Sequence, residues 1–333
     1  MSISTRSTIQ QFATLSAGAL IAAAFAAGAA RAAEPTETEL VDALNQLFGK
    51  HAGARASHAK GFCAKGAFVP SPEARTLARS NLFAAGSVPA TVRFSIGGGN
   101  PAAPDKSRSV RGIAVRLADK SETHDLVLIS EPVFFAATPA SFLSFLKARV
   151  PNPETKKPDP ARIEEHNQKF PEGKAQPAML AGHAAPFSYA TTPYFSNHAF
   201  KFTNAAGASK WARVELQPAA GTRHLTADEE KSLPDAFLED EFKARVAGKP
   251  VEFGVFAHLQ GPNDSLINPA EAWSKDSPRV RLGTLSIDRH DGQACDAEVY
   301  VPTNLASGIE ASDDPVLKVR AAAYAISKGR RSN

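Results

Sequence analysis

The feature that most constrains this chain is a succession of short β-branched or alternating segments bounded by Gly, Pro, Asn or Asp. Thr91–Ile96, Gly112–Leu117, Asp125–Ile129, Phe200–Thr203, Trp211–Leu216, Val251–Leu259, Val280–Ile287 and Ala297–Val301 have this form. Strand-length runs with few helices between them predict antiparallel pairing through short connections. The expected fold class is α+β, an antiparallel barrel or sandwich with flanking helices, and not a doubly wound parallel sheet.

Helical signals lie around these strands. Thr36 to Lys50 has capping-box spacing at Thr36 and Glu39, with Leu40, Leu44, Leu47 and Phe48 on one face. Pro72 and Pro139 each open a short helix, the second carrying Phe142, Phe145 and Leu146. Asp228–Ala247 reads as helix restarted at Pro234, with Phe237, Leu238, Phe242 and Val246 inward. The Pro- and charge-rich stretch Pro151–Gln176 reads as a surface loop. With 43% hydrophobic residues among 333, the chain has material for a real core, which excludes wholesale disorder. There is no internal repeat.

Residues 1–32 carry Arg6 and Arg31 and no acid. An apolar, Ala-rich run from Phe12 to Ala30 ends in Ala30-Arg31-Ala32-Ala33. A basic start, a short apolar centre and small residues before a cleavage point describe a secretory signal peptide rather than a membrane anchor. The expected division is a signal peptide at 1–32 and one domain at 33–333, with a periplasmic site for a bacterial cell. Removing the leader takes the net charge from +4 to +4 − 2 = +2, too weak for a nucleic-acid footprint. No later stretch approaches the ~20 apolar residues of a membrane span. Cys63 and Cys295 are far apart with no Cys-x-x-Cys, which excludes a Cys-rich metal site. In an oxidising compartment they either pair or remain two free thiols.

The tail is the strongest local signal. Asp313-Asp314-Pro315 starts a helix with anionic residues at its positive end. Arg320 and Tyr324 share a face at i, i+4. A guanidinium beside a phenol favours phenolate, a hard oxygen ligand for Fe(III). Taken alone, the same spacing also describes an ordinary surface pair.

Other segments give that pair its context. Arg55-Ala-Ser-His58, Val92-Arg93-Phe94-Ser95, Pro132-Val-Phe134-Phe135 with Phe142, Asn197-His198-Ala-Phe200, Val280–Val301, and Pro302 to Glu310 followed by Arg320-x-x-x-Tyr324 occur in this order. The set resembles the haem catalase superfamily across roughly residues 50–331, and is most similar to its short exported branch, the catalase-related peroxidases. The resemblance implies an antiparallel β-barrel around one haem b per chain. It implies Tyr324 as the axial iron ligand, a type of ligation known for catalase. Arg320 would stabilise it, backed by His198 and Asp314. His198 alone is equally readable as a satisfied core histidine.

The resemblance further implies that Arg55, Arg93 and Arg331 bind the haem propionates through charge-assisted bonds. A further basic family position falls on Gly329, so one contact would be lost or taken by Lys328 or Arg330. His58 would be the distal acid–base that drives heterolysis of the O–O bond, held by Ser95. Phe134, Phe135 and Phe142 would line the dry distal side.

One departure bears on function. Catalases carry an Asn three residues before the Pro of the Pro-x-Phe-Phe segment, and here that residue is Ile129. Losing one oriented hydrogen-bond donor typically costs ~10²–10³ in rate. The expectation is weak dismutation of hydrogen peroxide and a shift to peroxidase chemistry on organic hydroperoxides, with hydrogen peroxide as a further substrate. An external donor would supply the electrons, in oxidative-stress defence. The alternatives are a true catalase, a hydroperoxide isomerase and a non-enzymatic haem-binding protein. A chain ending just after the proximal helix is expected to be a monomer or homodimer.

Overall fold

The computed structural model describes residues 33–331 except Ala85, so the proposed signal peptide lies outside the described residues. In chain order the elements are α1 (Glu37–Phe48), β1 (Gly61–Pro70), β2 (Val88–Ile96), β3 (Arg111–Ala118), β4 (Thr123–Ile129), α2 (Pro139–Arg149), α3 (Pro160–Lys169) and α4 (Ala175–Ala181). There follow β5 (Tyr194–Phe195), β6 (Phe200–Thr203), β7 (Ser209–Pro218), α5 (Ala227–Ser232), α6 (Leu238–Gly248), β8 (Val251–Leu259), β9 (Arg279–His290), β10 (Ile309–Ala311) and α7 (Pro315–Arg331). The sheet order β7-β5-β4-β3-β2-β1-β9-β8 closes through β8–β7 into an eight-stranded antiparallel barrel, with β6 and β10 as an extension beside β7.

Alternation along each strand decides what the barrel encloses. Val92, Phe94 and Ile96 of β2, Ile113, Val115 and Leu117 of β3, and Leu126 and Leu128 of β4 join one buried core with Phe62, Leu216 and Phe253. Phe242 of α6 reaches this core, 5.1 Å from Phe62 and 4.9 Å from Phe94 by ring centroids. Burying each such side chain contributes about 1.5–3 kcal/mol. The interior is thus filled by side chains. This corrects the expectation of a barrel wrapped around a haem: Arg93 and Ser95 of β2 lie on its outer face, and the other predicted site residues lie outside the strands.

Three sequence expectations change locally. Ala297–Val301 is not a strand. Its backbone is satisfied by side chains, with the Asp125 carboxylate accepting from Val301 N at 2.8 Å and Arg116 donating to Val299 O at 2.6 Å. The stretch read as a loop at 151–176 contains α3, because Pro160 sits in the first turn and Asp159 caps it. His166 of α3 is buried against Phe145 of α2. Strand β1 was not anticipated. It is rich in small residues, and Gly66 marks a bulge where an added Cβ would lie 2.0 Å from Ser286 O of β9.

Candidate functional site

The site begins as a row across the outer face. Gly61, Ser95, Gly112, Ile129 and Phe195 are successive register partners on β1, β2, β3, β4 and β5, so their side chains share that face. The next row is Cys63, Arg93, Ala114 and Val127. Small residues at Gly112 and Ala114 leave a low floor. The His58 imidazole stands over it: a Cβ on Gly112 would lie 2.7 Å from His58 Nδ1 and 2.7 Å from Ser95 Oγ.

His58 is fixed at both ends. Its Nδ1 is 2.9 Å from Ser95 Oγ. Its main chain has φ +54°, a left-handed conformation that costs an L-residue roughly 1–2 kcal/mol. Burial first, then the charges of Arg93, Arg320 and Arg55, push its pKa down to about 3. The imidazole is therefore neutral.

The three arginines expected to hold propionates converge on one residue the sequence reading missed. Asp296 Oδ1 accepts from Arg55 Nη1 at 2.8 Å and from Arg93 Nε at 3.0 Å. The Asp296 carbonyl accepts from Arg55 Nη2 at 3.1 Å and Arg331 Nη1 at 3.0 Å. Burial raises the Asp296 pKa, but the Arg93 charge and the two arginine hydrogen bonds outweigh it, and the net shift is downward. Burial and the Arg55 charge hold the Arg93 guanidinium near 10, against the partial offset of Asp296. Arg331 Nε is buried with no partner among the described residues. Arg330 is turned away to Asp42 of α1 at 2.7 Å, which removes it as a substitute anion ligand.

A disulfide joins Cys63 to Cys295, settling the choice between bridge and free thiols. It ties the turn bearing Asp296 to β1 at the register partner of Arg93. Tyr300 packs against this bridge with Ala114 and Val127 alongside.

A second group of predicted residues lies on and around α7, which packs on α1 and α2. Arg320 Nε donates to Tyr324 Oη at 3.1 Å and Nη2 donates to the same oxygen. Asp314 caps the helix by accepting from Val316 N at 2.8 Å, and its other oxygen meets His198 Nδ1 at 2.6 Å. Burial lowers the His198 pKa; Asp314 opposes this and the Arg320 charge adds to it. The distal segment and α7 are joined by Ala56 N donating to Ser327 Oγ at 3.2 Å. Phe134, Phe135 and Phe142 form one aromatic group, with centroids 4.3 Å apart for Phe134–Phe135 and 5.1 Å for Phe135–Phe142. Phe134 reaches His198 at 6.4 Å. The structure thus brings Arg55, Arg93 and Arg331 together on Asp296, and pairs His58 with Ser95, Arg320 with Tyr324 and His198 with Asp314.

The family model for catalase matches residues 25–332. The chain belongs to the catalase family. This catalase-family chain is 38% identical over 301 residues to a catalase-related peroxidase of Synechococcus elongatus, covering 89% of each. It is 35% identical to a catalase-related peroxidase of Mycolicibacterium paratuberculosis, covering 88% of this chain and 93% of that one. Catalase A of Saccharomyces cerevisiae shares the fold, with a TM-score of 0.75 at 23% identity, over 85% of this chain and 62% of the yeast one. As a member of the catalase family, the protein is a haem-dependent oxidoreductase of peroxidase type.

The residues present fit a haem. A phenol oxygen clamped by a guanidinium is a suitable iron ligand. The buried, unpartnered Arg331 Nε in an arginine cluster suits a carboxylate. Gly112 and Ala114, the small residues of β3, let His58 and Tyr300 lie close to the barrel wall.

Among the missed residues, Gly112 was legible as the small member of an alternating strand. Asp296 carried no local signal.

Proposed function

We propose that the protein is a haem b peroxidase, with one haem per chain, that reduces organic hydroperoxides, and also hydrogen peroxide, at the expense of an external donor. The observation that carries this reading is the position of Ile129. It is the register partner of Gly112, the residue beneath His58. A branched hydrocarbon there gives an alkyl group apolar contact and gives hydrogen peroxide no hydrogen-bond partner.

In this reading Tyr324 ligates the iron, and Arg320 donates two hydrogen bonds that favour an anionic ligand oxygen. His198 and Asp314 brace the start of α7. Arg331 and Arg55 take the propionates, with Arg93 behind them. When bound, the haem supplies the redox centre that takes oxidising equivalents from the peroxide and passes them to the donor. His58, neutral and steadied by Ser95, accepts the peroxide proton and returns it to the departing oxygen. Overall, the hydroperoxide takes two electrons and two protons from the donor and leaves as an alcohol and water. Phe134, Phe135 and Phe142 keep the region dry. The leader at 1–32 exports the protein to the periplasm, where it acts in oxidative-stress defence as a monomer or homodimer.

The test pairs oxygen evolution from hydrogen peroxide with donor oxidation by an alkyl hydroperoxide, both per haem. Donor oxidation with little oxygen is expected. Rapid oxygen release without donor would make it a small catalase instead. Hydroperoxide consumed with no donor oxidised would make it an isomerase. Haem bound with neither reaction would leave only a haem-binding protein.

A further inference from the structure

Each guanidinium nitrogen of Arg93 donates one hydrogen bond to a protein acceptor. Nη1 donates to His58 O at 3.0 Å, Nη2 to Ala59 O at 3.2 Å, and Nε to Asp296 Oδ1 at 3.0 Å. The side chain is only 4% exposed, so these bonds form where water competes little. The carbonyls it grips belong to His58, which has the left-handed backbone, and to the next residue. Asp296 also holds Arg55, three residues before His58, so the segment is gripped on both sides of the histidine. The Asp296 turn is itself fastened: Cys295 is bonded to Cys63, and Cys63 N and O pair with Gly292 O and Asp291 N at 2.7 and 2.8 Å.

We propose that Arg93 and Asp296 are a positioning pair for the distal base. They hold the His58 main chain in its left-handed conformation and so aim the imidazole whose tip Ser95 steadies. Left-handed backbone at a non-glycine residue persists only where its surroundings over-determine it. Here those surroundings are a buried guanidinium, the carboxylate that orients it, and Gly98 O, which accepts from Ala59 N at 3.1 Å. This assigns Arg93 a task beyond charge pairing with a propionate, whose loss alone would weaken haem retention and leave the rate per haem unchanged. The inference rests on the reading of His58 as the proton acceptor.

Cyanide binding to the haem-loaded ferric protein separates these roles without turnover. Hydrogen cyanide must give up its proton to a distal base as it binds, so its association rate reports where the imidazole stands. His58→Ala sets the floor, expected at about a hundredth of the wild-type rate. Asp296→Asn and Arg93→Lys are each expected to slow association about tenfold or more, since a misplacement near 1 Å can cost ~10². Rates are taken per bound haem, because Asp296 also orients Arg55 and its loss can release haem. Asp296→Glu, which keeps the carboxylate, should recover to within about threefold. Arg93→Lys keeps the charge and stands as an independent variant should Asp296→Asn not fold. Wild-type cyanide rates in both variants, or a fall accounted for by lost haem, would overturn the positioning role. An unchanged rate in His58→Ala would instead overturn the reading of His58 itself.

Discussion

Gly112→Ala isolates the geometry of the distal base from its chemistry. The added Cβ would lie 2.7 Å from His58 Nδ1, 2.7 Å from Ser95 Oγ and 2.8 Å from His58 Cε1. Ordinary contact begins near 3.4 Å, so the ring and the hydroxyl must each retreat by about 0.7 Å, against the close packing that makes interiors sensitive to one carbon. The ring cannot retreat freely, because its main chain is gripped by Arg93 and its Nδ1 by Ser95. A displacement approaching 1 Å costs ~10² in rate, which corresponds to about 2.7 kcal/mol in the barrier. The strand itself tolerates alanine, because Gly112 has no left-handed φ to lose. Reduced unfolded-chain entropy returns about 0.4–1 kcal/mol of stability. The variant should therefore fold, load haem and react slowly. Stopped-flow measurement of the haem spectrum against hydroperoxide concentration, normalised to haem, gives the second-order rate. A rate within about threefold of wild type would refute the claim that His58 stands directly on Gly112 and must stay there.

Other perturbations probe separate parts of the molecule. Ile129→Asn should raise oxygen evolution from hydrogen peroxide at least tenfold per haem, part of the ~10²–10³ that one oriented donor provides; an unchanged oxygen rate would remove Ile129 as the determinant. Acidification should destabilise the fold. His58, pushed to about 3 chiefly by burial, stays unprotonated in the native state while the unfolded chain takes up a proton near 6.5. The unfolded state then binds more protons, so stability falls as pH drops from about 6.5 towards 3. His124, lowered to about 4 by burial, acts in the same direction. A melting temperature that rises between pH 7 and pH 4.5 would contradict this. Replacing Cys63 and Cys295 by Ser removes a bridge across 232 residues, worth about 5.5 kcal/mol in the chain-entropy account. The melting temperature should fall by roughly 10 °C; calorimetry showing no change would mean that the bridge does not constrain the unfolded chain.

Much of the site was legible because its chemistry sits in local patterns. Arg320 and Tyr324 meet because helical spacing brings i and i+4 together. Asp314 caps α7 because it directly precedes the proline of the first turn. Ser95, Arg93 and the apolar residues between them separate onto two faces because strands alternate. Local signals failed where a partner far along the chain decides the conformation. Gly66 lets β1 approach Ser286, 220 positions later, and the backbone around Val299–Val301 bonds to Arg116 and Asp125 rather than to a strand.

By itself, the sequence determined the strands that alternate and the helices that carry caps, which residue types could ligate iron or carry a proton, and that an isoleucine occupies the position where the resemblance to catalases calls for an asparagine. These are properties of spacing and side-chain chemistry. Only the tertiary structure decided that the barrel is packed solid, so that Arg93, Ser95 and Ile129 lie on its outer face. Only the closed register placed Ile129 beside Gly112 and stood His58 over it. Only the folded chain brought Asp296 to Arg55, 241 residues away in sequence, and to Arg93, 203 residues away. A carboxylate in a turn carries no mark of its partner. Its role is set by which guanidiniums the closed sheet and the disulfide bring within hydrogen-bond reach.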